Sequence, residues 1–335
     1  MSDSEMGLKN TLIEKSVIIL LPCYNDWESL VHLIPKINAV FSPLKTRIKI
    51  FIIDDFSSSE LNPDEDYAEA ALDAVESVIR VRLVRNVGSQ RSIAIGLAYL
   101  AAKETADYLI VADADHQDRP EDMPKLLREC ARYDNKKIIF ARRSKRLEGL
   151  LFRLSYFIYQ KIFKIFANVE ISMGSFSSCP WLHVPRLSNL SEMWNHFPSA
   201  VIKSKIPYEQ IDCIRGRRIY GESSMRLAAL VAVAFNAFAI FSETIAARLL
   251  ILGFYSICSL FTIGVGLVGL KLFSDIPLLG WTSIVISLLA TLTFQIFAVS
   301  GIMLFLISFM RMQAPTIPKY EYEKFIFDID RIYPK

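Results

Sequence analysis

The first half of the chain alternates short, unbroken apolar runs with stretches whose apolar positions recur at helical spacing. Val17–Pro22 is apolar throughout and ends in proline, the pattern of a buried strand. Trp27–Val40 follows, with Leu30, Leu33, Ile34 and Ile37 three or four residues apart, which predicts a helix. The alternation continues with strands at Ile48–Ile53, Val81–Val84, Tyr108–Ala112 and Ile138–Ala141, and helices at Tyr67–Val75, Ser92–Lys103 and Glu121–Tyr133. Such a succession predicts an α/β domain with a mostly parallel sheet covered on both faces. Ligands of such sheets gather beyond the carboxyl ends of the strands. Polar clusters stand there: Asp54-Asp55, Arg85-Asn86-Val87-Gly88 and Asp113-Ala114-Asp115.

From Gly149 the pattern changes. Leu150–Ala167 packs Phe152, Tyr156, Phe157, Tyr159, Phe163 and Phe166 around a narrow stripe of Arg153, Gln160, Lys161 and Lys164. An aromatic helix with a basic stripe suits the headgroup boundary of a bilayer; the alternative is a helix docked on the sheet. Leu227–Phe241 is a shorter apolar run interrupted by Asn236, read as an interfacial or buried helix. Leu249–Leu270 and Ile284–Met310 carry no charge and are long enough to span a membrane. Arginines and lysines flank the pair, while the loop Lys271–Ser283 has one lysine and no arginine. The positive-inside rule then puts both termini in the cytoplasm. The expected organisation is a cytosolic domain over 1–222, with an interface helix near 149–168. A juxtamembrane helix over 223–248, spans at 249–270 and 284–310, and a cytosolic tail over 311–335 follow.

Composition sharpens this division. The 335 residues hold 38 basic and 35 acidic side chains, a net charge of +3, and 52% are hydrophobic. The stretch Leu249–Met310 contains Lys271 and Asp275 as its only charges; the rest has the charge density of an ordinary soluble domain. A disordered chain, a wholly soluble protein and a multi-span transporter are excluded. The spans lack the interior ionisable residues of a channel or transporter. Met1–Ser16 has no apolar core, so no signal peptide is expected. Cysteines at 23, 130, 179, 213 and 258 form no CxxC pair. They are expected to be reduced thiols in a cytosolic compartment.

Asp113-x-Asp115 at the end of a buried strand carries the sharpest chemistry. Two carboxylates on one turn can offer oxygens to a single hard divalent cation, alongside phosphate oxygens. Taken with Pro22-Cys23-Tyr24-Asn25-Asp26, Asp54-Asp55-Phe56-Ser57, Arg85-Asn86-Val87-Gly88-Ser89-Gln90 and the run through Gln117-Asp118, the chain resembles glycosyltransferase family 2, of GT-A fold. The resemblance covers about residues 16–145. Within the family it points to the polyprenyl-phosphate branch, with dolichol-phosphate mannose synthase and the bactoprenol glucosyltransferases as the similar enzymes. Arg218-x-x-Gly221-x-Ser223 and the paired terminal spans also fit.

The resemblance implies an inner-membrane, multi-pass, inverting enzyme that moves one sugar from a UDP- or GDP-linked donor to undecaprenyl or dolichyl phosphate. Nucleic acid is not an expected partner; a homo-oligomer is left open. Pro22, Tyr24, Asn25, Asp26, Asp55, Gly88 and Gln90 would bind the donor, with Asp55 accepting from the base. Asp113 and Asp115, with Gln117 nearby, would hold Mg2+ or Mn2+. Arg142, Arg143, Arg146 and Arg218 would hold the acceptor phosphate, as guanidinium forks match phosphate oxygens. Asp113, Asp115 and Arg143 are the expected catalytic residues. His116 stands where leucine is more usual and is expected to be exposed. Ser175, in Met173-Gly174-Ser175-Phe176, stands where many relatives carry aspartate. An acceptor phosphate that is already anionic needs positioning more than a base. The QxxRW signature of processive synthases is absent, so one sugar per cycle is expected. A different lipid or soluble acceptor, or an impaired membrane scaffold, are the rival readings.

Overall fold

The computed structural model describes residues 15–59, 72–143, 161, 163–165, 167–169, 173–216, 218–219, 235–273, 281–312 and 314–334. The chain forms two compact units, one over 1–153, 171–240 and 316–335, the other over 154–170 and 241–315.

The first unit is built on one eight-stranded sheet. Its elements in chain order are β1 (Ser16–Cys23), α1 (Trp27–Phe41), β2 (Arg47–Asp54), β3 (Val75–Leu83), α2 (Ser89–Lys103), β4 (Tyr108–Val111), α3 (Met123–Arg132) and β5 (Ile138–Arg143). Then come β6 (Met173–Pro180), α4 (Val184–Ser188), α5 (Phe197–Lys203) and β7 (Tyr208–Cys213). The spatial order is β7-β5-β6-β4-β1-β2-β3, closed at its far edge by a strand described below.

The centre, β4-β1-β2-β3, is parallel, as the apolar runs predict. β1 reads SVIILLPC with every residue after Ser16 buried, because helices cover both faces. Val17, Ile19 and Leu21 enter the core beneath α1 and α3, while Ile18 and Leu20 enter the core beneath α2. Gly96 lets α2 settle on the sheet: a Cβ there would stand 2.6 Å from Leu20 Cδ1 and 2.9 Å from Ile53 Cγ1.

The sheet as a whole is mixed, which corrects the expectation of a mostly parallel one. β6 runs antiparallel to both β4 and β5. An eighth strand, β8 (Ile326–Tyr333), runs antiparallel to β3. Neither belongs to the strand–helix alternation, so neither needs a crossover helix that would make it parallel. The expected helix Tyr67–Val75 falls mostly outside the described residues. Its last residue, Val75, instead opens β3, which runs six residues further toward the N-terminus than the apolar run Val81–Val84 implies.

The segment read as a tail also joins this unit. Pro318–Glu321 forms the short helix α8, and Ile326–Tyr333 forms β8. Arg80 grips Asp330 with Nε on Oδ1 and Nη2 on Oδ2, both at 2.8 Å.

The second unit contains α6 (Ser242–Phe273) and α7 (Trp281–Met312), each of 32 residues. At 1.5 Å per residue each is about 48 Å long, longer than the bilayer core. Their apolar windows, Ser242–Leu270 and Ser283–Phe309, have mean hydropathy 2.0 and 2.1 and are almost unburied. Two long apolar helices whose side chains face outward form a membrane-spanning region. Gly253 lets them touch, since a Cβ there would stand 2.9 Å from Ile296 Cγ2. Gly264 and Gly266 face open space in this chain. Of the aromatic interface helix, 161, 163–165 and 167 are described and helical. Phe163 is buried edge-on against Phe241, with ring centroids 5.6 Å apart.

Candidate active site

Three loops meet beyond the carboxyl ends of β1, β2 and β3. Asn25, at φ 56°, turns its side-chain oxygen onto Ser58 and Ser59, accepting from their backbone N–H groups at 2.8 and 3.2 Å. Its own N–H donates to Ser57 Oγ at 2.9 Å. Asp54 caps the same turn, accepting from Ser57 N–H at 2.9 Å. Asp55 is buried and accepts from Val87 N–H at 2.7 Å and Gly88 N–H at 2.8 Å, one on each carboxylate oxygen. Burial pushes the Asp55 carboxyl up, against the lowering effect of those two amides. Gly88 sits at φ +87°, left-handed backbone that only glycine adopts without strain, with open space where a Cβ would be. Tyr24 stands half-exposed beside this floor, and Pro22 lies within β1.

The Asp113–Asp118 turn follows β4. Asp118 accepts from Asp113 N–H at 2.9 Å, and Asp115 accepts from Gln117 N–H at 3.0 Å. His116, the residue between, adopts φ 65° and is 5% exposed. Its Nε2 lies 2.9 Å from the Ser29 carbonyl of α1. The expectation of an exposed histidine is therefore corrected: the left-handed turn aims the ring inward, where it ties the acidic turn to the first helix.

The loop after β7 closes over this turn. Gly216 N–H donates to the Gln117 carbonyl at 2.9 Å. Arg215 Nε donates to Gln117 Oε1 at 3.1 Å, and Arg215 Nη2 reaches the same oxygen. Arg218 then joins two carboxylates from distant loops. Its Nη1 donates to Asp115 Oδ2 at 3.4 Å, and its Nη2 to Asp26 Oδ1. Burial raises the Asp26 pKa, the Arg218 charge lowers it, and the Asp115 charge raises it.

Other expected residues fall nearby or elsewhere. Gln90, at the start of α2, is clamped: its amide donates to Ser175 Oγ at 3.0 Å and its oxygen accepts from Phe197 N–H at 2.9 Å. Ser175 on β6 is thus a hydrogen-bond partner of Gln90. Arg142 makes an exposed two-point pair with its cross-strand neighbour Asp212, at 2.7 and 3.1 Å. Arg143 ends β5 beside Cys213 in the sheet. Arg146 lies outside the described residues. Arg215, Gly216, Asp118 and the Gln90–Ser175 link carried no role in the sequence reading. Asp118 alone had a signal, its place in the acidic run.

Among the described residues no three His, Cys, Asp or Glu side chains are grouped as a metal site. Asp113 and Asp115 nonetheless suit Mg2+ or Mn2+, which is commonly held by one or two carboxylates and completed by substrate phosphates. Gln117 turns its side-chain oxygen to Arg215.

Residues 18–184 match the family model described as glycosyl transferase family 2, and this part of the chain belongs to that family. One similar curated protein is the undecaprenyl-phosphate 4-deoxy-4-formamido-L-arabinose transferase of Klebsiella pneumoniae. It is 33% identical over 117 residues, 34% of this chain and 33% of the relative. The protein of that name from Salmonella gallinarum is 34% identical over 113 residues, with the same coverage to within a percent. The chain thus spans about one third of the length of the curated relatives it matches. Both names are of a transferase acting on undecaprenyl phosphate, in keeping with the polyprenyl-phosphate branch that the motifs suggested, and neither singles out the two enzymes named with it. Among solved structures, the glucosyl-3-phosphoglycerate synthase of Mycobacterium tuberculosis with Mn2+, UDP-glucose and phosphoglyceric acid has a TM-score of 0.49 at 14% identity. It covers 73% of this chain and 84% of its own. The mannosyl-3-phosphoglycerate synthase of Rubrobacter xylanophilus has a TM-score of 0.46 at 14% identity, covering 72% and 75%.

Proposed function

We propose that the protein is a membrane-bound, inverting glycosyltransferase that moves one sugar from a UDP- or GDP-linked donor to a polyprenyl phosphate, for modification of a cell-envelope glycan. The observation that carries this reading is the joining of a family-2 domain, with Asp26, Asp113 and Asp115 at its strand ends, to a hairpin of two membrane helices. The names of the curated relatives support the acceptor class.

In the proposed reaction an oxygen of the acceptor phosphate forms a bond to the anomeric carbon. The bond from that carbon to the donor's diphosphate oxygen breaks, and its electron pair leaves with the nucleoside diphosphate. A phosphate monoester is anionic near neutral pH, so no residue need remove a proton from it. That accommodates Ser175 at the position of the family aspartate. Pro22, Tyr24, Asn25 and Asp26 would line the donor pocket, and Asp55 would take part in holding the base while fixing the Gly88 loop. Asp113 and Asp115, with Gln117 nearby, would hold Mg2+ or Mn2+, which supplies charge neutralisation for the departing diphosphate. Arg142, Arg143, Arg146 and Arg218 would meet the acceptor phosphate; for Arg142 this means exchanging Asp212 for the ligand. Two crossings return the chain to the side it left, and the pairing of β8 with β3 supports a catalytic domain and C-terminal segment on one, cytosolic side of the inner membrane.

The test is to incubate the purified full chain with undecaprenyl phosphate, Mg2+ or Mn2+ and a panel of UDP and GDP sugars. Formation of a sugar-loaded lipid phosphate and free nucleoside diphosphate is expected. Turnover with no donor would overturn the enzyme reading. Transfer only to a soluble acceptor would overturn the polyprenyl reading.

A further inference from the structure

Gln90 is held at both ends of its side-chain amide, and that fixes the direction of a hydrogen bond. Its oxygen accepts from Phe197 N–H at 2.9 Å, so its nitrogen is the atom turned to Ser175, donating to Oγ at 3.0 Å. A serine hydroxyl carries one proton of its own and can accept elsewhere at the same time. Ser175 Oγ is the acceptor here, so its proton must point away from Gln90. Among the described residues that proton meets no acceptor. Ser177, two residues on, instead turns its hydroxyl to the Ser175 carbonyl at 3.1 Å. Ser175 itself is half-buried, within reach of a ligand.

The sheet sets this uncommitted donor between two strand ends. β6 runs antiparallel to β4 with Ser177 across from Val111, and the same register two residues on puts Ser175 level with Asp113. On its other side β6 pairs Ser177 with Phe140 and Met173 with Arg142. Ser175 therefore lies against the last part of β5, which ends in Arg142 and Arg143. A hydroxyl proton without a partner stands between the acidic turn and a pair of arginines, where anionic oxygens would collect.

We propose that the Ser175 hydroxyl donates a hydrogen bond to an oxygen of the acceptor phosphate, and that Gln90 is the positioning residue that aims it. This rests on the reading of the protein as a polyprenyl-phosphate glycosyltransferase. A hydrogen bond to an anionic oxygen is stronger than one between neutral groups, and a donor aimed beforehand needs no reorientation when the ligand arrives. The same arrangement sets a preference among acceptors. With Gln90 donating to it, the hydroxyl is turned to give a hydrogen bond to the ligand rather than to take one. It favours an ionised oxygen, already free of its proton, over a neutral alcohol.

The experiment uses the full chain in detergent, with undecaprenyl phosphate and the nucleotide sugar it turns over, and measures KM for each substrate. Ser175→Ala should raise the KM for undecaprenyl phosphate about tenfold or more and leave the donor KM near the wild-type value. Ser175→Thr, which keeps the hydroxyl, should stay close to the wild type. Gln90→Glu tests the direction. Its carboxylate still accepts from Phe197 N–H but can only accept from Ser175, so the serine proton turns toward it and away from the ligand. The lipid KM should then rise as in Ser175→Ala, with the melting temperature unchanged. Combining the two substitutions should add little, because both remove the same bond. A wild-type lipid KM in Ser175→Ala, or a rise confined to the donor KM, would overturn the contact with the acceptor. A folded Gln90→Glu protein with a wild-type lipid KM, or a double variant at least tenfold worse than Ser175→Ala, would overturn the aiming by Gln90. Each of these outcomes leaves the enzyme reading intact, whereas a wild type that transfers no sugar to undecaprenyl phosphate would overturn both.

Discussion

Replacing Gly216 with alanine tests whether the loop after β7 and the acidic turn work as one piece. The added Cβ would fall well under 3.0 Å from the His116 carbonyl oxygen, 3.3 Å from Arg119 Cγ and 3.4 Å from the Gln117 oxygen. The closest atom is backbone on a turn held by the hydrogen bonds described above, so it has no rotamer by which to yield. Restoring an ordinary carbon–oxygen contact requires the loop and the turn to separate by about 1 Å, and a misplacement of about 1 Å at a reacting centre can cost about 10²-fold in rate. The loss should therefore appear in kcat/KM for sugar transfer, at about 10²-fold. Stability should change little, by about 1 kcal/mol or less, because Gly216 itself belongs to neither apolar core. Steady-state transfer assays and thermal melts of the same preparation check both halves. Gly264→Ala is the control: nothing lies within 4 Å of its Cβ position, so activity and melting should stay at wild-type values. A Gly216→Ala enzyme with wild-type kcat/KM would refute the coupling of loop and turn. A variant that loses activity only because it unfolds would refute its placement outside the core.

Four further outcomes are expected. Asp115→Ala should lower transfer by at least about 10²-fold, the scale of removing one charge-stabilising group, with an unchanged far-ultraviolet circular dichroism spectrum; retained Mn2+-dependent turnover would refute the cation role. Arg143→Ala should raise the KM for lipid phosphate by about 10-fold or more, as loss of a charged hydrogen bond implies, and the donor KM much less; the reverse would move Arg143 to the donor side. Gly96→Ala should destabilise the soluble unit by about 1–3 kcal/mol through overpacking against Leu20 and Ile53, measured by chemical denaturation. Burial pushes the Asp107 carboxyl up, but the Ser16 N–H, the Lys15 ammonium and the Ser16 hydroxyl outweigh it and hold the pKa below its ordinary value. Its stabilising effect is thus present at neutral pH and lost as pH falls through its lowered pKa. Asp107→Asn should flatten the stability profile below about pH 4, and an unchanged acid limb would show the group contributes nothing.

The parallel centre of the sheet was legible because β1, β2, β4 and the end of β3 are buried on both faces and so read as unbroken apolar runs. β6 was not. Its sequence MGSFSSCP offers serines at positions where Ser177 and Ser178 are buried, and short polar side chains give no periodic signal. β8 was hidden for another reason. Asp328, Asp330 and Arg331 interrupt Ile326–Tyr333, and its partner β3 lies some 250 residues earlier, as the Arg80–Asp330 pair records. Local pattern cannot reveal a strand that long-range pairing creates. At the site, the acidic turn and the β1 and β2 loops stood out as motifs, since several polar residues must be adjacent to build them. The Asp26–Arg218–Asp115 bridge did not, because it joins single residues from three distant segments. His116 misled because a polar side chain normally favours solvent, and only the left-handed backbone at that position turns it inward.

The place of β8 in the chain sets an order on how the protein can be made. Ribosomes release the chain from its N-terminus, so β3 is synthesised long before its neighbour. In the interval, translation must pass through both membrane helices. Until they have emerged, β3 presents a row of unpaired amides and carbonyls, the template on which strands of other chains add. The first unit can therefore complete its sheet only after both membrane helices have been synthesised. A protein cut before α6 to make it easier to handle would leave that edge uncovered permanently, so a soluble version needs Thr316–Tyr333 rejoined to the domain by a linker in place of the two helices.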